Sequence, residues 1–77
     1  MKALVETLAK SLVDSPEEVE VQETREGGVV DLVLSVAAQD MGKVIGKQGR
    51  IANAMRQVLK ACAIKEDVKV HLDISEE

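Results

Sequence analysis

The sequence has no phenylalanine, tyrosine or tryptophan, and only one cysteine, one histidine and one proline. Several nucleic-acid-binding domains read single strands by stacking bases on aromatic side chains, so RRM, cold-shock and OB-type stacking domains are disfavoured. One cysteine excludes an intramolecular disulfide and a cysteine-based zinc site, and with a single histidine we expect no mixed metal site either. The sequence therefore predicts a protein without metal or cofactor.

Long apolar runs are also lacking. None approaches the roughly 18 residues of a membrane-spanning helix, and the N-terminus lacks the basic-then-apolar pattern of a signal peptide. Together with the low cysteine count, this predicts a cytoplasmic protein without membrane contact. Hydrophobic residues make up 45% and charged residues 31% of the 77 positions, which is typical of a soluble globular chain, and this length gives one domain over residues 1–77.

The net charge is −4, but it is distributed unevenly. Residues 41–65 contain six basic and no acidic residues, a charge of +6 that leaves −10 for the remainder. Such a window indicates either a site for an anion or a basic helix face balanced by acidic neighbours. Its basic residues are Lys43, Lys47, Arg50, Arg56, Lys60 and Lys65.

Two segments, residues 1–13 and 50–64, have the apolar spacing of amphipathic helices. We interpret Val58, Leu59 and Cys62 as core residues, because their spacing is that of a buried stripe and a free cysteine behaves as a small apolar residue. The first stripe comprises Met1, Val5, Leu8 and Leu12, widened by Leu4 and Ala9; the second comprises Ile51, Met55, Val58, Leu59 and Cys62.

Three segments alternate apolar and polar residues, as strands with one buried face do. They begin near Val19, at Val29 and near Val68, and Gly27-Gly28 predicts a hairpin between the first two. Ahead of the first strand, Ser15 and Glu18 match a capping box with Pro16 between them, so at most one helical turn is expected there.

A short helical turn is predicted between the second strand and the second long helix. Asp40 is positioned to cap it, and it runs through Val44 and Ile45 and ends at Gly46. Helices between the second and third strands predict a right-handed parallel crossover. The expected fold is α+β, in the order α-β-β-α-α-β, with a three-stranded sheet covered on one face by helices.

The segment Gly42–Arg50, with the sequence GKVIGKQGR, carries the pattern most suited to binding an anion. Glycines permit sharp turns and close approach to a ligand, and the N–H groups at the start of the following helix favour a phosphate. Lys43, Lys47 and Arg50 add positive charge to this geometry.

Residues 44–50 resemble the GxxG signature of the KH (K homology) RNA-binding domain, and the element order resembles the type II arrangement of that fold. The similarity extends over almost the whole chain. The run over residues 41–50 and the SPEEVEV sequence at residues 15–21 look most similar to the KhpA-like family of small, stand-alone bacterial KH domains. Placed between two helices, the motif is far more specific than an isolated GxxG.

The resemblance implies a non-catalytic protein whose groove holds about four nucleotides of single-stranded RNA. Gly46, Lys47, Gln48 and Gly49 would clamp the backbone. Many KH domains carry a large aliphatic residue where this chain has Ala52, so we expect a shallower groove and low base discrimination. The expected RNA-binding residues are Lys43, Val44, Ile45, Gly46, Lys47, Gln48, Gly49, Arg50, Ala52, Asn53 and Arg56.

Two other functions compete with RNA binding. An enzyme is disfavoured because Gly42 to Gly46 is too short for a P-loop, Gln48 replaces the magnesium-binding Ser or Thr, and one histidine and one cysteine give no nucleophile-base pair. A protein-protein interaction or dimerisation adaptor, in which the loop is only structural, stays open. Arg56 and Lys60 fit an extended RNA track or an ordinary solvated helix face equally well.

Without aromatic stacking, a single copy is expected to bind RNA weakly. Pairing two copies, or joining another RNA-binding protein, raises the effective concentration of binding sites. We therefore expect a homodimer, or a heterodimer with a second RNA-binding protein, acting as an RNA chaperone or regulator; the resemblance implies the same. His71 falls on the polar alternation of the last strand and is expected at the surface.

Overall fold

The computed structural model describes residues 1–76, and its helices and strands follow the predicted α-β-β-α-α-β order. Short 3-10 turns connect several of them. No helix in this range is both long enough and apolar enough to cross a membrane. The elements are α1 (Lys2–Leu12), β1 (Glu20–Glu26), β2 (Val29–Val36), α2 (Met41–Ile45), α3 (Arg50–Glu66) and β3 (Lys69–Glu76).

The three strands form one mixed sheet with β2 in the centre. β1 pairs with β2 in antiparallel orientation, and the hairpin between them turns at Gly27 and Gly28, whose φ angles are 55° and 82°. β3 pairs with β2 in parallel orientation, so the crossover through α2 and α3 is confirmed. β3 forms one edge of the sheet, and its outer side has no strand neighbour within residues 1–76.

The hydrophobic core lies between the helices and one face of the sheet. Leu32 and Leu34 of the central strand are almost completely buried, and they pack with Val5 of α1 and Leu59 of α3. The alternate residues of β1 and β3 are exposed on the other face, which is polar. The predicted sheet covered on one face by helices is therefore confirmed.

The buried stripe of α3 differs from the predicted one. Val58 is 45% exposed and Cys62 is half-buried, whereas Ala52 and Ala63 are buried. Small residues at these positions let the helix approach the sheet closely, and this rotation turns Val58 away from the core. The prediction that Val58 is a core residue is wrong. Leu12, the last residue of the apolar stripe of α1, is 37% exposed.

One helical turn at Pro16–Glu18 is confirmed, but the capping box is absent. The Ser15 side chain makes no cap hydrogen bond. Instead, the backbone N–H of Glu18 donates to the backbone oxygen of Ser15 at 3.0 Å, because a 3-10 turn closes through the main chain.

Asp40 is also placed differently from the prediction. It is completely buried and its side chain does not cap α2, since a 3-10 turn over Ala38–Asp40 runs directly into that helix and gives Asp40 helical backbone angles. An N-cap residue requires non-helical angles. The Asp40 carboxylate accepts hydrogen bonds from the backbone N–H groups of Asp14 and Ser15, each at 3.1 Å.

Candidate nucleic-acid interface

The GxxG loop (Gly46–Gly49) joins α2 to α3 through a sequence of unusual backbone conformations. Gly46, Gln48 and Gly49 have φ angles of 77°, 57° and 75°. The N–H of Gly46 donates to the Gly42 oxygen at 2.9 Å, and the N–H of Gly49 donates to the Gly46 oxygen at 3.1 Å. Because residues with side chains rarely adopt positive φ, the two glycines allow a tight turn that ordinary residues would resist.

Gly46 is also required by close packing. A Cβ atom at this position would lie 2.7 Å from Cγ1 and 2.9 Å from the backbone nitrogen of Ile51. At Gly49 the nearest atom would be Nδ2 of Asn53, at 3.8 Å, which is ordinary contact. Gly46 is therefore needed for both space and conformation, and Gly49 for conformation alone.

The tip of the loop exposes cationic and polar side chains. Lys47, Gln48 and Arg50 are exposed, and Lys47 and Arg50 form no ion pair within residues 1–76. Gly49 occupies the N-cap position of α3, so no side chain caps the N–H groups of the first turn. The positive end of the helix dipole adds to the attraction for an anion at this position.

Lys43, on α2 beside the loop, lies close to two carboxylates. Its ammonium group pairs with Asp14, and its Nζ lies 3.8 Å from Oδ1 of Asp40. The hydrogen bond to Asp14 raises the pKa of Lys43 above its usual value, although burial opposes the shift. In the free protein Lys43 is ion-paired because the chain leaving α1 places Asp14 against α2, and its contact with RNA stays a prediction.

The apolar residues beside the loop divide into core and surface. Val44 is completely buried and its side chain anchors α2 in the core, so its contact with RNA stays a prediction. Ala52 retains 4% exposure, whereas Ile45 and Ile51 are half-buried. Ile45 thus offers more apolar surface beside the loop than either of its predicted partners, Val44 and Ala52.

Arg56 connects α3 to the outer edge of β3. Its Nε and Nη2 atoms donate to the backbone oxygen of Leu72 at 3.3 and 3.1 Å, and Nη1 donates to Oδ1 of Asn53 at 3.4 Å. Sequence reasoning placed both residues on a helix face but missed this strand edge. The predicted parallel crossover could have indicated this contact, because it places the last strand beside the helix that precedes it.

No group of three or more histidine, cysteine, aspartate and glutamate side chains in the described range is arranged to hold a metal ion. Of the predicted RNA-binding residues, the structure brings together the loop, the start of α3, and Asn53 with Arg56. It separates them from Val44 in the core and from Lys43 in its ion pair.

Comparison with known proteins identifies the family of this domain. The family model described as the KH domain of KhpA and KhpB matches residues 2–74. The RNA-binding protein KhpA of Clostridium acetobutylicum is 58% identical over 74 residues, which cover 96% of this chain and 99% of that protein. KhpA of Clostridium perfringens is 60% identical, with the same coverage. The chain belongs to the KhpA/KhpB family of KH domains.

A solved structure agrees with this assignment at the level of the fold. Era, in complex with MgGDPNP and nucleotides 1506–1542 of 16S ribosomal RNA, matches with a TM-score of 0.58 at 20% identity. The match covers 97% of this chain and 29% of the Era chain. The α+β architecture with a mixed three-stranded sheet is that of a type II KH-like domain.

Proposed function

We propose that this domain binds single-stranded RNA by holding the sugar-phosphate backbone at the GxxG loop, without catalysing a reaction. The matched relatives are named RNA-binding proteins. The observation that carries the proposal is the exposed Lys47-Gln48 tip, flanked by two positive-φ glycines and followed by a helix N-terminus without a side-chain cap. Glycine at both ends allows the tight turn that exposes this tip, and the helix N-terminus favours a phosphate.

The sequence specificity of this binding should be low. Contacts to phosphates position a nucleic acid without reading its bases. The chain has no aromatic residue on which bases could stack, and Ala52 offers little surface beside the loop. Affinity should therefore depend more on strand length and salt than on base identity.

We further propose that the protein acts as a homodimer or together with a second RNA-binding protein, as an RNA chaperone or regulator. A domain that lacks base stacking gains affinity when a second site on the same assembly raises the effective concentration. A cytoplasmic location stays a prediction from the cysteine count and the N-terminal sequence. Sedimentation at several protein concentrations would detect self-association directly.

A protein-protein adaptor is the alternative, and exposed apolar side chains favour it. Val58 and Ile64 of α3 are 45% and 72% exposed, so their apolar surface is available for contact with another protein. In that case the GxxG loop would be only a turn, and its replacement would leave the function intact.

The double substitution Lys47→Asp with Gln48→Asp separates these functions. Both side chains are exposed, so the variant should fold, as circular dichroism would verify. Its matched control is Lys10→Asp with Gln22→Asp, which makes the same chemical changes at exposed positions of α1 and β1, away from the loop and from α3. In fluorescence anisotropy with labelled single-stranded RNA, the loop variant should lose binding and the control should retain it.

Salt dependence gives a second measurement of the same proposal. If about three phosphates are neutralised, the logarithm of affinity should fall against the logarithm of salt concentration with a slope near −2. Normal RNA binding by the loop variant, or a flat salt response, would favour the adaptor.

A further inference from the structure

An acidic residue outside the GxxG loop pairs with a cation beside that loop. The side chain of Asp14, which follows α1, binds the ammonium group of Lys43 on α2. Lys43 precedes Gly46 by about 4.5 Å along the helix axis, at about 1.5 Å per residue. The Asp14 carboxylate and a phosphate at the loop therefore compete for the same lysine.

We propose that Asp14 lowers the affinity of this protein for RNA by holding Lys43 in an ion pair, so that this lysine does not bind a phosphate. The inference rests on the proposed function. It makes Asp14 a residue that sets the strength of RNA binding without contacting the RNA.

The backbone holds Asp14 beside α2. The N–H groups of Asp14 and Ser15 donate to the two carboxylate oxygens of Asp40, each at 3.1 Å. Asp40 is completely buried and immediately precedes α2. Because these bonds fix the backbone, pairing with Lys43 orders only two side chains and no further length of chain.

The ion pair lies at the surface, where a phosphate can reach it. The side chains of Asp14 and Lys43 are 76% and 41% exposed. The hydrogen bond to Asp14 raises the pKa of Lys43, so the pair stabilises the charged form of the lysine. Asp40 makes the weaker contact, because its Oδ1 lies 3.8 Å from Nζ of Lys43 and both its oxygens already accept backbone N–H groups. Removing the charge of Asp14 therefore leaves a charged lysine whose closest carboxylate is gone.

Lys43 differs in this respect from the other cations of the loop region. Lys47 and Arg50 form no ion pair within residues 1–76. Exposed ion pairs are only weakly stabilising, so Asp14 should reduce RNA affinity by a small factor and not abolish binding. Without Asp14, Lys43 would become a third cation available to the strand.

The test measures the binding of a fluorescein-labelled uridine octamer to the full chain, by anisotropy over a salt series. Asp14→Asn retains the size and the backbone N–H of the residue and removes its charge. This variant should bind about twofold to fivefold more tightly at low salt, the range expected from the loss of an exposed ion pair. Its salt slope should be steeper by about 0.7, because one more phosphate is neutralised.

Two further variants separate this effect from a general change of charge. Asp31→Asn removes the same charge at an exposed position of the polar sheet face, and it should leave the salt slope unchanged. Asp14→Asn combined with Lys43→Gln should lose the steeper slope, because the released cation is absent. In the protein without RNA, Asp14→Asn should lower the pKa of Lys43, which side-chain NMR over a pH series measures.

Four results would overturn the inference. They are an unchanged pKa of Lys43 in Asp14→Asn, an unchanged affinity and salt slope in that variant, the same steepening in Asp31→Asn, and a steeper slope that persists when Lys43 is also replaced. If the wild-type protein binds the octamer in these cases, only the role of Asp14 is wrong. If neither the wild type nor Asp14→Asn binds it, the proposed function fails, and this inference fails with it.

Discussion

The carboxylate of Asp40 accepts a hydrogen bond at 3.1 Å from the backbone N–H of Ser15, which lies 25 residues earlier in the chain. Its other oxygen accepts a second bond, from the N–H of Asp14. Asp40 immediately precedes α2, and α2 ends at the GxxG loop. This buried carboxylate therefore connects the end of α1 to the helix that positions the loop.

Replacing Asp40 should destabilise the fold. Asp40→Ala leaves two N–H groups without their acceptor, at about 1 to 3 kcal/mol each, so we expect a loss of about 2 to 6 kcal/mol in the free energy of unfolding. Asp40→Asn keeps one acceptor oxygen, so its free energy of unfolding should lie between those of the wild type and Asp40→Ala. Urea denaturation measures this, with Asp31→Asn on the exposed sheet face as control. A change below about 0.5 kcal/mol for Asp40→Ala would contradict the assignment.

The two loop glycines should respond differently to alanine. Gly46→Ala brings Cβ into overlap with Ile51, including its backbone, as well as imposing a positive φ, so we expect about 3 kcal/mol or more of destabilisation. Gly49→Ala meets no close atom and should lose about 1 to 2 kcal/mol through backbone conformation alone. Denaturant midpoints give the comparison, and equal losses would show that Ile51 does not crowd Gly46.

Lys43 and Lys47 should contribute unequally to RNA affinity. Lys47 is exposed, whereas the charge of Lys43 is offset by Asp14. Lys47→Gln should therefore make the salt slope shallower by about 0.7, while Lys43→Gln leaves it unchanged. Anisotropy titrations over a salt series measure both slopes. The reverse order would mean that Lys43 exchanges Asp14 for a phosphate on binding.

Alanine substitutions at a buried and at an exposed apolar residue of α3 should differ in their effect on the free energy of unfolding. Leu59 is 1% exposed and Ile64 is 72% exposed. Leu59→Ala should lose about 2 to 5 kcal/mol through lost contacts and a cavity. Ile64→Ala should stay within about 0.5 kcal/mol of wild type, as surface substitutions usually do. Thermal unfolding followed by circular dichroism tests the pair, and similar losses would contradict the orientation of α3.

The element order and the sheet could be predicted from the sequence because their signals are local. Alternation over Val29–Val36 and helical spacing over residues 50–64 identify β2 and α3 by themselves. The rotation of α3 is different, since Val58, Leu59 and Cys62 form one continuous apolar arc. Which part of that arc faces the sheet depends on how closely Ala52 and Ala63 let the helix approach.

The electrostatics of the candidate site could be predicted less well, because the partners are distant in sequence. The GxxG loop was recognisable from its own residues. The pairing of Lys43 with Asp14 spans 29 residues, and that of Arg56 with Leu72 spans 16. Spacing within the motif carries no information about either contact. The sequence therefore does not distinguish a lysine that pairs with a distant carboxylate from one that is free in solvent.

Backbone amide NMR during titration with a single-stranded RNA tetramer tests the central claim most directly, since it reports which part of the chain meets the ligand. We predict chemical-shift changes concentrated at Gly46–Arg50 and the first turn of α3, and little change at the exposed positions of β1. Changes confined to the polar sheet face, or their absence at saturating RNA, would contradict binding of RNA by the GxxG loop.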